Sequence, residues 1–348
     1  EPVYDLRYSG DPALKCPKNM RVDSVPTPLF WFISPWLTLR SLDRKQLIRA
    51  MAGALGAKSG RLLVHRDLHC PLSDFLTLQA IPMQLATWNV NSLKVRLPQV
   101  LDWLLTRPVD VLCLQELKQE DAAFPLAALE EAGYHAVFAG QKTYNGVAIL
   151  SRHPHPPTDV VRNIPGFDDP QQRVIAATVN GVRVVCAYFV NGEAVGSEKY
   201  AYKLRWLAAL DSYLSDQLAA HPALALLGDF NIAPDDRDVY DPAAWQDKVL
   251  CSAPERAAFQ RLLDKGLVDS FRAFCAEGGH YSWWDYRAAM FRRDLGLRID
   301  HILLSPPLQA RATACDIDRT PRKHPRPSDH TPVVVTLGAA LLHKPLLA

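Results

Sequence analysis

The chain lacks the cysteine pattern of a disulfide-stapled or zinc-ribbon protein. Its seven cysteines are odd in number and contain no CxxC pair, which argues against a disulfide framework or a cysteine-based zinc site. Cys113 and Cys186 sit inside apolar runs, as small core residues do, and suit a reducing, cytoplasmic setting. Long apolar runs are missing too. Nothing approaches the roughly 18 residues needed to span a bilayer. The most apolar N-terminal stretch, LFWFISPWL (Leu29 to Leu37), is interrupted by Pro35 and lacks a signal-peptide cleavage pattern. Charge of one sign is absent: the formal net charge is +2 and the sequence pI about 8.2. A histone-like or tail-like nucleic-acid binder is therefore excluded, but a local basic cleft is not. There is no GxGxxG, no P-loop and no internal repeat, which argues against a dinucleotide or ATP enzyme.

What remains is ordinary globular composition, 48% hydrophobic and 22% charged, enough for a sizeable core. Residues 1–82 show no sustained period apart from a helical pattern over Leu42 to Leu55. Met83 stands immediately before the first strong strand. It reads as the natural start, with 1–82 an upstream read-through or added extension, or alternatively a real accessory segment, 83–340 the main folded domain and 341–348 a tail. From 83 onward, nine strand-like runs follow: QLATWNV, VDVLCLQE, HAVFAG, GVAILS, RVIAATV, VRVVCAYF, ALALLGDFN, LRIDHILLS and TPVVVTL. Asn180-Gly181 between the fifth and sixth marks a tight hairpin. Helices are expected near 94–106, 122–132, 197–220 and 254–265, the third carrying Leu204, Leu207, Leu210 and Leu214 at helical spacing. Hairpins mixed with helical crossovers predict an α/β sandwich with mixed sheets.

Five of these runs stop on, or begin beside, residues a core does not need. They are Asn89 and Asn91 in TWNVNS, Glu116 in LQE, Asp229 in GDFN, Asp300 in RIDH, and Asp329-His330 in SDH. A single one reads as a cap or turn. Five together predict a shared rim, where sites in layered folds are commonly built. Asp229 and Asn231 are two apart, so in extended chain both point one way, and Gly228 permits close approach of backbone or ligand. An amide can donate to a phosphate oxygen while the acid orients or deprotonates a water. Oxygen ligands such as Glu116 suit Mg²⁺, with Mn²⁺ as a substitute. His330 with Asp300 makes a carboxylate-oriented imidazole, able to act as a base or to stabilise an anionic transition state.

TWNVNS, LQELK, NGVAILS, YFVNG, GDFNIAP, SWWDYR, GLRIDHILLS and SDHTPVVV, in this order, resemble the exodeoxyribonuclease III family of apurinic/apyrimidinic endonucleases, part of the endonuclease/exonuclease/phosphatase superfamily. The resemblance runs from about Met83 to Leu337. It implies a four-layered α/β sandwich with two mixed sheets flanked by helices, and metal-dependent phosphodiester hydrolysis in duplex DNA. The implied activities are incision 5′ to abasic sites, 3′–5′ exonuclease action and removal of 3′ blocking groups. It also implies roles for individual residues. Glu116 is the principal Mg²⁺ ligand with Asn89 beside it, Asp229 activates or positions the water, and Asn231 binds phosphate. His330 is the catalytic histidine, Asp300 its orienting partner, and Asp329 an acid near the metal. Asn231, Asp229, Asp329 and His330 thus join the candidate metal surroundings. Tyr188 lies near the scissile phosphate, Arg173 near the DNA, and Trp283 lines the pocket for an abasic sugar or terminal nucleotide. The family often has proline where Val190 stands.

Because side chains alternate along extended chain, only one of Trp283 and Trp284 is expected in a cleft. Arg287, Arg292, Arg293 and Arg298, with the PRKHPRPSDH loop, flank catalytic candidates and are read as DNA-backbone contacts. Lys199, Lys203 and Arg205 read as a solvated face. The expected partner is double-stranded DNA, at abasic sites and 3′ ends, bound by a monomer away from membranes. Two alternatives stand beside this: a phosphatase or phosphodiesterase of the same superfamily with a small phosphorylated substrate, and a non-catalytic relative, which should have lost one of Glu116, Asp229, Asn231 or His330.

Overall fold

The computed structural model describes residues 82–339. The expectations for the N-terminal extension, the Leu42 to Leu55 helix and the tail lie outside the described residues. The described strands are β1 (Met83–Asn89), β2 (Val111–Gln115), β3 (Tyr134–Ala139), β4 (Val147–Arg152), β5 (Thr158–Arg162), β6 (Val174–Val179), β7 (Val182–Tyr188), β8 (Leu224–Asp229), β9 (Val268–Asp269), β10 (Asp300–Leu304), β11 (Ala312–Ile317) and β12 (Val333–Leu337). They form two six-stranded sheets, in the orders β11-β12-β1-β2-β4-β3 and β5-β6-β7-β8-β10-β9. The main helices are α1 (Leu93–Thr106), α2 (Leu126–Glu131), α3 (Glu198–Ala220) and α4 (Ala253–Asp264).

Each sheet contains one parallel pair, β1 with β2 and β7 with β8. A parallel pair needs a crossover, and α1 and α3 supply the two. The inner faces of the sheets pack on each other through Leu85, Cys113 and Ile149 on one side and Cys186, Leu227 and Ile302 on the other. The two core cysteines are therefore where the apolar runs place them. Outside the first sheet, Val100, Trp103 and Leu104 of α1 cover Leu112, Leu114 and Leu150. Outside the second, Trp206, Leu207 and Leu210 of α3 and Phe259 of α4 cover Val185 and Leu226. Central strands are thus buried on both faces and read as continuous apolar runs. The result is the expected four-layered α/β sandwich.

The β6–β7 hairpin turns at Asn180 and Gly181, with φ of 47° and 79°, the left-handed pair that a two-residue hairpin requires. Gly228 is needed for backbone rather than ligand approach: a Cβ there would lie 1.8 Å from the Ala187 carbonyl oxygen, its partner across the β7–β8 ladder. Three strands were not expected from sequence: β5, β9 and β11. All three are sheet edges. β5 and β11 are largely exposed and β9 has only two residues, so none carries the apolar run that betrays a central strand. Among the described residues no helix is long and apolar enough to cross a membrane.

Candidate active site

β1, β2 and β8 end at one rim, and antiparallel β10 and β12 begin there. The two sheets meet at Asn89. Its Nδ2 donates to Glu116 Oε1 at 2.8 Å and to Asp229 Oδ2 at 2.9 Å, so one buried amide holds a carboxylate from each sheet. Asn91, Glu116 and Asn231 take left-handed backbone, with φ of 44°, 54° and 48°. This turns each chain off its strand line and aims the side chain into the rim. Residues held this way cluster at functional sites.

Asp229 is 1% exposed. Burial pushes its carboxyl up to about 7; His330 and the Asn89 hydrogen bond oppose the rise, and Asp300 adds to it. Asp229 Oδ1 accepts from Asn231 N at 2.9 Å. The two side chains are therefore not related by extended chain, as their spacing suggested, but by a tight turn in which an aspartate accepts from the backbone two residues on. Asn231 Nδ2 donates to Phe189 O at 3.1 Å, and its Oδ1 accepts from Asn191 Nδ2 at 2.9 Å. One of its two amide hydrogens is left for a ligand.

His330 Nδ1 donates to Asp300 Oδ2 at 2.9 Å, and Nε2 faces Asp229 Oδ2 at 3.6 Å. Burial alone would lower the imidazole. The attraction of Asp300, then of Asp229, and the Asp300 hydrogen bond outweigh it and push it up to about 10. The ring is thus held as an imidazolium whose Nε2 hydrogen points at the site. Ser282, which the sequence reading missed, donates to Asp300 Oδ2 at 2.7 Å and accepts from the Ile299 and Asp300 amides. Its place immediately after Tyr281, beside a tryptophan pair, gave no signal of this role.

Carboxylate oxygens of Glu116 and Asp229 and the His330 Nε2 lie within 4.8 Å of one another; with the imidazole protonated, the two carboxylates are the groups that would hold a cation. The set is rich in hard oxygen and contains no thiolate, so it fits a hard divalent cation. Glu116 is the accessible member, with Lys118 paired to it at 2.8 Å. Asp329, expected near the metal, has both oxygens engaged: Oδ1 accepts from Asn91 Nδ2 at 2.9 Å and Oδ2 from Trp283 Nε1 at 3.0 Å. Its attraction to His330 and those bonds outweigh burial and hold it below the usual carboxylate range. Asp329 therefore fixes the Trp283 indole. Trp283 is half-buried beside His330, with ring centroids 6.5 Å apart, while Trp284 is fully buried, as alternation predicts.

Tyr188 ends β7 beside Glu116 and Asp229. Burial, then those two carboxylates, push its phenol well above its ordinary value, so it is a hydroxyl donor. Arg173 is nearly buried. It donates to Gln171 Oε1 and Tyr188 O and lies 4.9 Å over the Tyr188 ring, so it props the tyrosine. Both residues, with Glu116 and Asn191, line a cleft of about 720 Å³. Val190 is buried, and Phe189 beside it is anchored by its amide on Asp229 O and by stacking on Phe230 at 4.2 Å. That holds the strand end without proline.

The basic residues divide. Arg292 and Arg293 are exposed and have no ion-pair partner among the described residues. Arg287 is exposed and paired with Asp285. In the second loop Lys323 and Arg326 are exposed, but Arg322 is buried against Trp284 and Phe291. Arg298 is not a surface contact at all. It is 1% exposed and pairs with Asp238 and Asp269. Lys203, read as solvated, is fully buried against Glu255.

A model of the endonuclease/exonuclease/phosphatase family matches residues 86–330. Exodeoxyribonuclease III of Haemophilus influenzae is 36% identical over 265 residues, covering 72% of this chain and 98% of that protein. The 3′–5′ exonuclease NExo of Neisseria meningitidis is 55% identical with a TM-score of 0.72, covering 74% of this chain and 100% of that one. NExo has also been solved as a 3′ phosphatase bound to a product DNA hairpin. An AP endonuclease from Archaeoglobus fulgidus is 38% identical with a TM-score of 0.70, covering 73% and 99%.

Proposed function

Because the chain belongs to the endonuclease/exonuclease/phosphatase family, we propose that it is a Mg²⁺-dependent DNA-repair nuclease with its catalytic domain in residues 83–340. It hydrolyses phosphodiester bonds in duplex DNA, removing 3′-terminal nucleotides and 3′ blocking groups and incising beside abasic sites. The observation that carries this reading is the rim where Asn89 bridges Glu116 and Asp229, with the Asp300–His330 pair facing them. The relatives include an exodeoxyribonuclease III, a 3′ phosphatase and an AP endonuclease, so all three activities are assigned to this one site.

A Mg²⁺ ion bound at Glu116 would neutralise charge on the phosphate and on the leaving oxygen. Asp229 orients the attacking water and takes its proton. The free amide hydrogen of Asn231, the Tyr188 hydroxyl and the His330 Nε2 hydrogen converge on the phosphate oxygens. Such donors act where charge develops in the transition state. Asp300 and Ser282 keep the imidazolium oriented, and Trp283, held by Asp329, walls the pocket for the terminal or abasic sugar. Water adds to phosphorus as the P–O bond to the leaving oxygen breaks; the water's proton passes to Asp229, and the leaving oxygen takes a proton from solvent. The protein acts as a monomer in the cytoplasm.

The test uses three labelled duplexes: intact, 3′-phosphorylated, and with one abasic site. Each is incubated with the full chain or residues 83–348, in Mg²⁺, Mn²⁺ or EDTA. Phosphate release, 3′ shortening and incision are expected with either cation, with either chain, and none in EDTA. No reaction on any duplex, with hydrolysis of a small phosphorylated substrate instead, would replace this reading.

Exposed Arg292 and Arg293, with exposed Lys323 and Arg326 of the second basic loop, are assigned to the DNA backbone. Each phosphate contact contributes about 0.9 to the slope of log affinity against log salt. Arg292→Ala and Arg293→Ala are expected to reduce that slope by about 1 each, equally for all sequences. Slopes unchanged from the parent would remove these residues from the interface.

A further inference from the structure

We propose that Lys203 is a positioning residue of the active site, acting through the backbone of the two loops that carry Asn191 and Asn231. The inference rests on the nuclease reading and deepens it. Lys203 sits early in α3 and is 0% exposed. A buried ammonium is costly unless its three N–H donors are all met. Here they are: Nζ donates to Asn231 O at 2.8 Å, to Asn191 O at 3.1 Å and to a carboxylate oxygen of Glu255. Two of the three acceptors are therefore main-chain carbonyls of the loops that follow β8 and β7.

The carbonyls of Asn191 and Asn231 accept from Lys203 and from no other donor among the described residues, while neighbouring groups of the same loops are tied elsewhere: Phe230 N to Ile299 O, Ala233 N to Leu250 O and Ser197 Oγ to Gly192 O. Asn231 is in left-handed backbone at a φ of 48°, and its side chain joins the two loops through Asn191 Nδ2 and Phe189 O. At Gly192, φ is 95° and a Cβ would lie 3.1 Å from Lys203 Cδ. The loop thus runs directly over the lysine stem. Glu255 in turn is locked by the Leu250 and Ser252 amides at 3.0 and 3.1 Å, and Ser252 Oγ by Tyr200 OH at 2.6 Å. The chain of contacts runs from the start of α4, through the ammonium, to the residue that offers its remaining amide hydrogen to phosphate.

For stability alone, a buried ion pair is no better than a well-packed apolar pair. An apolar pair, however, has no N–H to aim two carbonyls. What Lys203 supplies is the direction of Asn231.

The experiment combines kinetics with amide hydrogen exchange. On the 3′-phosphorylated duplex, Lys203→Met is expected to lower kcat on the order of 10- to 100-fold, with KM within about threefold of the parent. In an Asn231→Ala background the same change should cost less than about threefold, because the two act as a unit. Exchange at residues 189–192 and 230–233 should accelerate. Lys203→Met/Glu255→Gln removes both buried charges and keeps an amide oxygen to accept at the start of α4, so it should fold stably and still show the low kcat and fast exchange. Additive effects in the Asn231→Ala background, or parental kcat in the uncharged double variant, would overturn the proposal. Should the parent cut no DNA, the nuclease reading fails by itself. Exchange then still reports on the loops, and unchanged exchange would overturn their anchoring by Lys203.

Discussion

Asp229→Asn is expected to reduce kcat by roughly 10³- to 10⁴-fold, the scale of a lost general base, without unfolding the protein. The carboxylate is 1% exposed and burial raises its pKa to about 7, so it is an energetically expensive group. The amide that replaces it carries no charge into the core. It cannot, however, accept from both Asn231 N and Asn89 Nδ2, as Asp229 does through Oδ1 and Oδ2. One contact becomes donor against donor, so the bridge from Asn89 to Glu116 loosens while the base is lost. Thermal stability should stay level or rise, the trade expected of a group kept for activity rather than for folding. Single-turnover cleavage and a melting curve on one preparation decide this. Activity within tenfold of the parent would remove Asp229 from the chemistry.

The second large effect concerns His330. His330→Ala should lower kcat by roughly 10²- to 10³-fold, as when one preorganised donor to a developing charge is lost. Asp300→Asn should cost less, because the imidazole remains but is no longer held as a cation. In metal-free protein, NMR titration should find the His330 ring protonated up to about 10 and, in Asp300→Asn, back toward the ordinary imidazole range. The sign of the stability effect follows. His330 has its pKa raised from 6.5, so its contribution is complete below 6.5 and is lost as pH rises through about 10. Asp229 is raised from 3.8, so the folded state also binds the extra proton there, and its contribution is lost as pH rises through about 7. Metal-free protein should therefore lose stability steadily from neutral to alkaline pH. A His330→Gln variant should show a flatter curve between pH 7 and 10. Parallel curves would mean that the Asp300–His330 pair is not charged as described.

The rim proposed as the active site was legible because apolar central strands make their polar ends conspicuous. Asn89, Glu116, Asp229, Asp300 and His330 each interrupt or border a run that a core alone would continue. Alternation also anticipated that Trp283 and Trp284 face different surroundings, one half-buried and one fully buried. The sheet edges were not legible: β5 and β11 face solvent and need no apolar pattern. Buried charge was the other blind spot. Lys203 and Arg298 look like surface residues because the partners that satisfy them, Glu255, Asp238 and Asp269, lie 29 to 60 residues away. Local sequence carries no trace of such pairs. Likewise the spacing of Asp229 and Asn231 suggested extended chain, when the turn at Asn231 is what orients the amide.

The order of β12 in the first sheet has a consequence for the timing of activity. The last strand lies between β11 and the first, β1, and His330 is carried just ahead of it. Asp300 comes from the second sheet, and Asn89 and Glu116 from the opening third of the described chain. A ribosome-bound chain that has made Asn89, Glu116 and Asp229 still lacks the imidazolium and the strand that closes the sheet. The groups of the rim are therefore brought together only once β12 has paired with β1, however early the other strands form.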